Sequence, residues 1–147
     1  MITDSGNRTT FESGAVRDMS KGKGRCDLMP LEVVAEWANS DVLRDMAMFT
    51  ESGGIENKYL YRALDDFQSE AGINREMLIL EVSKHFEEGA EKYGELNWQK
   101  GIPVNSYIDS AVRHYLKHKS GFEDERHDRA FIWNILCCIW TVNHTQV

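Results

Sequence analysis

Apolar residues recur at helical spacing through most of the chain, and strand-like alternation is scarce. From Leu31, just after Pro30, the segment LEVVAEWA puts Leu31, Val34, Ala35 and Trp37/Ala38 on one stripe. That is the pattern of an amphipathic helix whose first turn follows a proline. A weaker pattern predicts a helix over 41–49, followed by a Ser-Gly-Gly loop. Leu60, Ala63, Leu64 and Phe67 predict a third helix from Tyr59 to Glu70, which Gly72 can terminate. The clearest helix runs from Arg75 to about Lys92, with Leu78, Val82, His85, Phe86 and Gly89 between charged positions, and Gly94 closes it. Asn105 or Ser106 is placed to cap a fifth, carrying Tyr107, Ile108, Ala111, Val112, Tyr115 and Leu116 as far as Gly121. The last starts near 123–125 and runs AFIWNILCCIWTV, apolar almost all round, which predicts deep burial or a subunit interface. Residues 1–24, polar and rich in Gly, Ser and Thr, read as an irregular arm. The pattern predicts one all-α domain without internal repeats.

Composition narrows this picture more than it redraws it. The chain has 147 residues and only two prolines, Pro30 and Pro103. No apolar run approaches the ~20 residues that a spanning helix needs. The first residues lack the apolar core of a signal peptide, and Cys26, Cys137 and Cys138 make neither a disulfide framework nor a zinc pattern. A cytoplasmic protein with no membrane partner is expected. The net charge of −7 argues against a nucleic-acid polymer as partner, because such proteins concentrate basic surface. An acidic protein can still bind a phosphorylated small molecule when divalent cations lie between the two, so the distribution of the acids matters.

The acids gather twice. Glu87-Glu88-x-x-Glu91 lies in the clearest helix, where Glu88 and Glu91 share a face; the alternative is a solvated face with Glu88 paired to Lys92. Glu123-Asp124-Glu125-x-x-Asp128 opens the last helix and repeats the spacing in Glu125 and Asp128; there the alternative is simple macrodipole stabilisation. If the two helices pack together, four carboxylates converge, a hard oxygen set suited to Mg²⁺ or Mn²⁺. A third group mixes cations and rings: Lys92, Tyr93, Asn97, Trp98 and Lys100, then Arg113 and His114. Trp98 or Tyr93 could stack on a base, Asn97 could read a base edge, and the cations could meet phosphate. Against that, Trp98 could plug the end of the bundle and Arg113 could pair with an acid. His127, inside the acidic cluster, suits either orientation of a ligand or capping. In the arm, Lys21-Gly22-Lys23-Gly24-Arg25 could wrap an anion.

Three segments together resemble a known family: FESGAVRDMSKGKGRCDLMPLEVV, KHFEEGAEKYGELNWQKGIPVNSYIDSAVRH and DERHDRAFIWNILCCIW. They are similar to the dATP/dGTP diphosphohydrolase domain, a MazZ-like phage and bacterial group related to the all-α MazG nucleotide pyrophosphohydrolases. The resemblance implies a MazG-like helical bundle that forms homodimers or homotetramers. It divides the chain into an arm over 1–30 and a catalytic domain over 31–147, with 39–74 as a variable insertion. It implies hydrolysis of a purine deoxynucleoside triphosphate, dGTP or dATP, to the monophosphate and pyrophosphate with Mg²⁺ or Mn²⁺. Metal ligands carried over are Glu88, Glu91, Glu125 and Asp128, with Glu81, Glu87 and Asp124 as alternates. Glu87 or Glu91 would take the proton from water, and Lys92, Lys100 and Arg113 would stabilise the leaving phosphates. Lys21, Lys23, Arg25, Tyr93, Asn97, Trp98, His114 and His127 complete the expected substrate contacts, with the basic arm as a lid. The competing reading is a non-catalytic helical module that self-associates through its apolar last helix.

Overall fold

A computed structural model describes residues 8–19 and 21–145. Among them are six α-helices: α1 Leu31–Ala38, α2 Asp41–Glu51, α3 Lys58–Ala71, α4 Arg75–Tyr93, α5 Val104–Lys119 and α6 His127–Thr145. The chain is all-α in its main body, as the periodicity predicts. Local chemistry sets the boundaries. Asn39 turns the chain with φ 49° after α1, and the Ser40 side chain accepts the Leu43 N–H to start α2. Gly72, at φ 65°, ends α3, and the Asn74 side chain caps α4 on Met77 N–H. Two boundaries differ from expectation. Helix α5 begins at Val104, directly after Pro103, so Asn105 and Ser106 lie inside its first turn and neither caps it. Helix α6 begins at His127, so Glu123, Asp124 and Glu125 lie in the connection before it.

α5 and α6 form the most extensive helix pair, and α4 packs along α6. The 41–71 helices are part of the same core: α2 contacts α5 and α3 contacts α6. There Phe67 stacks on Phe131 with centroids 4.8 Å apart, and Tyr115 packs on Phe131 at 5.6 Å. Each such ring, fully buried, contributes roughly 1.5–3 kcal/mol of transfer free energy. Helix α6 buries Phe131, Ile132, Ile135, Cys137, Cys138, Ile139 and Val142 within its own chain. Most of the apolar run of α6 is therefore covered within this chain, with Trp133, Leu136 and Trp140 part-exposed. No helix among the described residues is long and apolar enough to cross a membrane.

The arm is not irregular throughout. Arg8–Thr10 (β1) and Val16–Asp18 (β2) pair antiparallel, with Thr10 opposite Val16, around a turn in which Gly14 takes φ 89°. An isolated two-stranded ribbon is marginal in water. This one is held by Asn97, whose amide bonds both backbone groups of Val16: Val16 N–H to Oδ1 at 2.9 Å and Nδ2–H to Val16 O at 2.7 Å. The side chain does what a neighbouring strand would do. Ala15 is fully buried beneath the hairpin, and Ser13 donates to Gly101 O.

Candidate functional site: a cavity between the hairpin and helices α4 to α6

Docking the hairpin across α4, α5 and α6 encloses a cavity of about 270 Å³. Its walls come from β2, the C-terminal half of α4, the Asn97–Lys100 turn, α5 and the loop before α6. One side is aromatic. Phe86, Tyr93, Trp98 and Trp133 line it, with Trp98 edge-on to Phe86 at 5.9 Å and to Trp140 at 5.1 Å.

The floor holds a part-buried cation. Arg17, on β2, donates to Ser106 O, Ser110 Oγ and Asn134 Oδ1, and its guanidinium lies over the rings of Tyr107 and Trp133. Every one of these partners is neutral. Burial pushes its pKa down from the ordinary arginine value, the mark of a charge removed from water with no carboxylate partner among the described residues. A cation so placed lends the cavity a positive potential suited to an anionic group. Lys23 reaches the same cavity but pairs with Asp18 at 2.9 Å.

Arg113 also lines the cavity, and its chief work is structural. It pairs with Asp109 and donates to Gly24 O at 2.7 Å, while Asp109 accepts Cys26 N–H at 2.6 Å. Together they pin the end of the GKGR segment to α5, so that end is docked and is not a free lid. Lys21 is exposed and does not line the cavity, and Arg25 is paired with Asp27.

At the cavity edge, His114, Asp124 and Glu125 come together with His127. The two rings face each other, Nδ1 to Nδ1 at 2.9 Å, and Glu125 Oε1 is 3.3 Å from His114 Nδ1. His127 Nε2 donates to Asp124 Oδ1 at 2.7 Å, and that bond holds the Asp124 carboxyl below the usual range. Burial, helped by the His127 ring, holds His114 well below the ordinary histidine value, so it is neutral at neutral pH.

The other expected acids have different neighbours. Arg126 bridges Asp128 at 2.8 Å and Glu81 at 3.5 Å, and Lys84 also pairs with Glu81. Glu88 faces Arg129 at 3.4 Å. α4 and α6 do pack together, the condition set for convergence, but these carboxylates meet arginines at the seam. None of Glu81, Glu87, Glu88, Glu91 and Asp128 lines the cavity, nor do Lys92 and Lys100. Among the described residues, the donor atoms that lie close enough together to share an ion are those of His114, Glu125 and His127. Asn97, expected to read a base edge, lines the cavity with Tyr93 and Trp98 but spends its amide on Val16.

Sequence reasoning missed Arg17 and Asn134. Arg17 sits in a segment without periodicity, and only the fold brings it beneath α5 and α6. Asn134 carried a usable signal, as a lone amide in the apolar run of the last helix.

The dATP/dGTP diphosphohydrolase N-terminal family profile matches residues 73–147. The chain belongs to this family. The matched span runs from the start of α4 through α6, and so includes the aromatic wall, Arg113 and the histidine–carboxylate group. Arg17 and the hairpin lie outside the matched segment, so the family part of the cavity is completed by a separate stretch of this chain. No curated protein and no solved structure matches the chain.

Proposed function

We propose that the cavity binds a purine deoxynucleoside triphosphate, dGTP or dATP, and hydrolyses it to the monophosphate and pyrophosphate. The observation that carries this reading is that Arg17, with no carboxylate partner among the described residues, shares one cavity with the aromatic wall and the carboxylate edge. The family's description supports the substrate class. In the reaction, water adds to the α-phosphorus and the bond to the bridging oxygen breaks. Pyrophosphate leaves, and a proton from water is released. Arg17 binds phosphate oxygens as they gain charge, with planar N–H groups suited to two oxygens at once. Trp98, Tyr93 and Phe86 offer the base an apolar surface on which to stack. Proton acceptance falls to Asp124 or Glu125, the acids at the cavity edge, and not to Glu87 or Glu91 outside it. A divalent cation, when bound by His114, Glu125 and His127, supplies charge neutralisation on the phosphates and a more acidic water. Self-association belongs to the same reading, through the exposed Met77 and Leu80 of α4 and Ile73 just before it.

A nucleotide panel tests the reading. Pyrophosphate released from each deoxynucleotide is measured with Mg²⁺ or Mn²⁺ and with chelator. A purine deoxynucleotide should exceed the pyrimidine ones at least ~10-fold, since the aromatic wall stacks the larger base better, and chelator should abolish release. Equal, metal-independent release, or none, is the contrary result.

A further inference from the structure

We propose that His114, Glu125 and His127 form a two-histidine, one-carboxylate site for a single transition-metal ion of the Mn²⁺, Fe²⁺, Co²⁺ or Zn²⁺ class. Asp124 orients His127 within it. This deepens the hydrolase reading by naming the class of ion and its ligands, yet it rests on ligand geometry and not on turnover.

The donor atoms form a compact triangle. His114 Nδ1 and His127 Nδ1 are 2.9 Å apart, and Glu125 Oε1 lies 3.3 Å from the first and 3.7 Å from the second. An ion bonded at about 2.0–2.2 Å to nitrogen and oxygen keeps neighbouring donors roughly 3.0–3.5 Å apart. The triangle therefore fits one side of one ion. His114 and Glu125 line the cavity, so the ion's other side would face the space where a ligand enters.

The hydrogen bond behind His127 is an independent sign. Asp124 Oδ1 accepts from His127 Nε2 at 2.7 Å, which fixes the ring with its Nδ1 lone pair directed at His114 and Glu125. A carboxylate behind a ligating histidine is the usual outer support of a metal site. Binding requires one tautomer change, with the His114 proton moving to Nε2. The chain needs little rearrangement, because α5, the connection and α6 supply all three ligands within residues 114–127. Two imidazole nitrogens also change the preferred ion. Mg²⁺ favours oxygen donors and retained water, whereas imidazole suits the borderline transition metals.

Metal titration of the purified chain tests this without nucleotide, so its failure is distinct from failure of hydrolysis. Co²⁺ is added and its visible ligand-field bands are followed, then Zn²⁺, Mn²⁺ and Mg²⁺ are used as competitors. The expected result is one saturable equivalent, displaced by Zn²⁺ and far less readily by Mg²⁺. Glu125→Gln should weaken binding roughly 100-fold or more. Asp124→Asn changes a residue exposed enough to spare the fold and should weaken binding about 10-fold or more. Glu88→Gln and Asp128→Asn should stay within about threefold of the parent. Folding of each variant is checked by circular dichroism. Absence of saturable binding to the folded parent overturns the proposal. So does Mg²⁺ binding as tight as Zn²⁺, or loss in Glu88→Gln and Asp128→Asn with Glu125→Gln unaffected.

Discussion

Two groups of carboxylates meet at the beginning of α6, and their partners set them apart. Glu81, Glu88 and Asp128 face Arg126 and Arg129 along the seam between α4 and α6. Asp124 and Glu125, a few residues away in sequence, face the imidazoles of His114 and His127 at the cavity. An acid beside a guanidinium is neutralised and serves as a fastening between helices. An acid beside imidazoles joins nitrogen donors in a mixed set. Helical spacing tells which face an acid occupies, and the nearest side chain from another element decides what it does there.

The sharpest test of this difference swaps one acid from each group. Glu125→Gln should lower metal-dependent hydrolysis of the best nucleotide by about 100-fold or more, in line with loss of a key electrostatic group. Glu88→Gln should lower it by no more than about threefold, measured as pyrophosphate released under the same conditions. Equal losses would return Glu88 to the ligand set and erase the distinction.

Arg17 extends the comparison to cations, since among the described residues it has no carboxylate of the kind that Arg126 and Arg129 possess. Arg17→Gln should cost about 10–100-fold in kcat/KM, the scale of one hydrogen bond to a charged group. Arg126→Gln should change kcat/KM little and should lower the thermal midpoint instead. An Arg17→Gln enzyme with unaltered kinetics would make that residue a packing element only.

A third kind of acid, remote from both groups, shows what happens when the nearest partner is another carboxylate. Asp45, on α2, is pushed up to about 8 by burial and by its hydrogen bond to Asp66. It is therefore protonated in the folded chain at neutral pH, while the unfolded chain ionises it above its ordinary 3.8. The unfolded chain thus holds fewer protons between those values, and stability falls as the pH rises from about 4 to about 8. Asp45→Asn should flatten that slope and stabilise the chain at pH 8 by on the order of 2 kcal/mol, read from denaturant melts across pH. An unchanged slope would remove the buried acid pair from the account.

The smallest effect concerns the hairpin that carries Arg17. Asn97→Ala removes both side-chain bonds to Val16 and should cost about 1 kcal/mol locally. Faster hydrogen exchange at the Val16 amide and a raised KM with kcat nearly intact would show the loosened wall. Unchanged protection there would mean that Ala15 and Ser13 hold the hairpin by themselves.

Much of this architecture was legible in the sequence because helices write their burial locally. The stripe Leu60, Ala63, Phe67 and the long apolar run from Phe131 each specify an element and its buried face. The repeated acids raised the packing of α4 on α6 only as a condition, which the fold meets. The partners of those acids were not legible, although Arg126 and Arg129 stand among them in DERHDR. Salt bridges across helices depend on register, which spacing within one helix does not carry. The hairpin was illegible for a different reason. Its strands are three residues long, and the groups that stabilise it, Asn97 and Gly101, lie more than 80 residues away. The same long-range docking hid Arg17, and it made Asn97 a structural anchor where a base contact was expected.

The most direct test of the central claim is a phosphorus-31 NMR time course of the full chain with dGTP or dATP and Mn²⁺ in ¹⁸O-labelled water. The account predicts deoxynucleoside monophosphate and pyrophosphate as the products, with the label on the monophosphate. Stepwise loss of single phosphates, release of triphosphate, label on pyrophosphate, or no turnover by folded protein would contradict it.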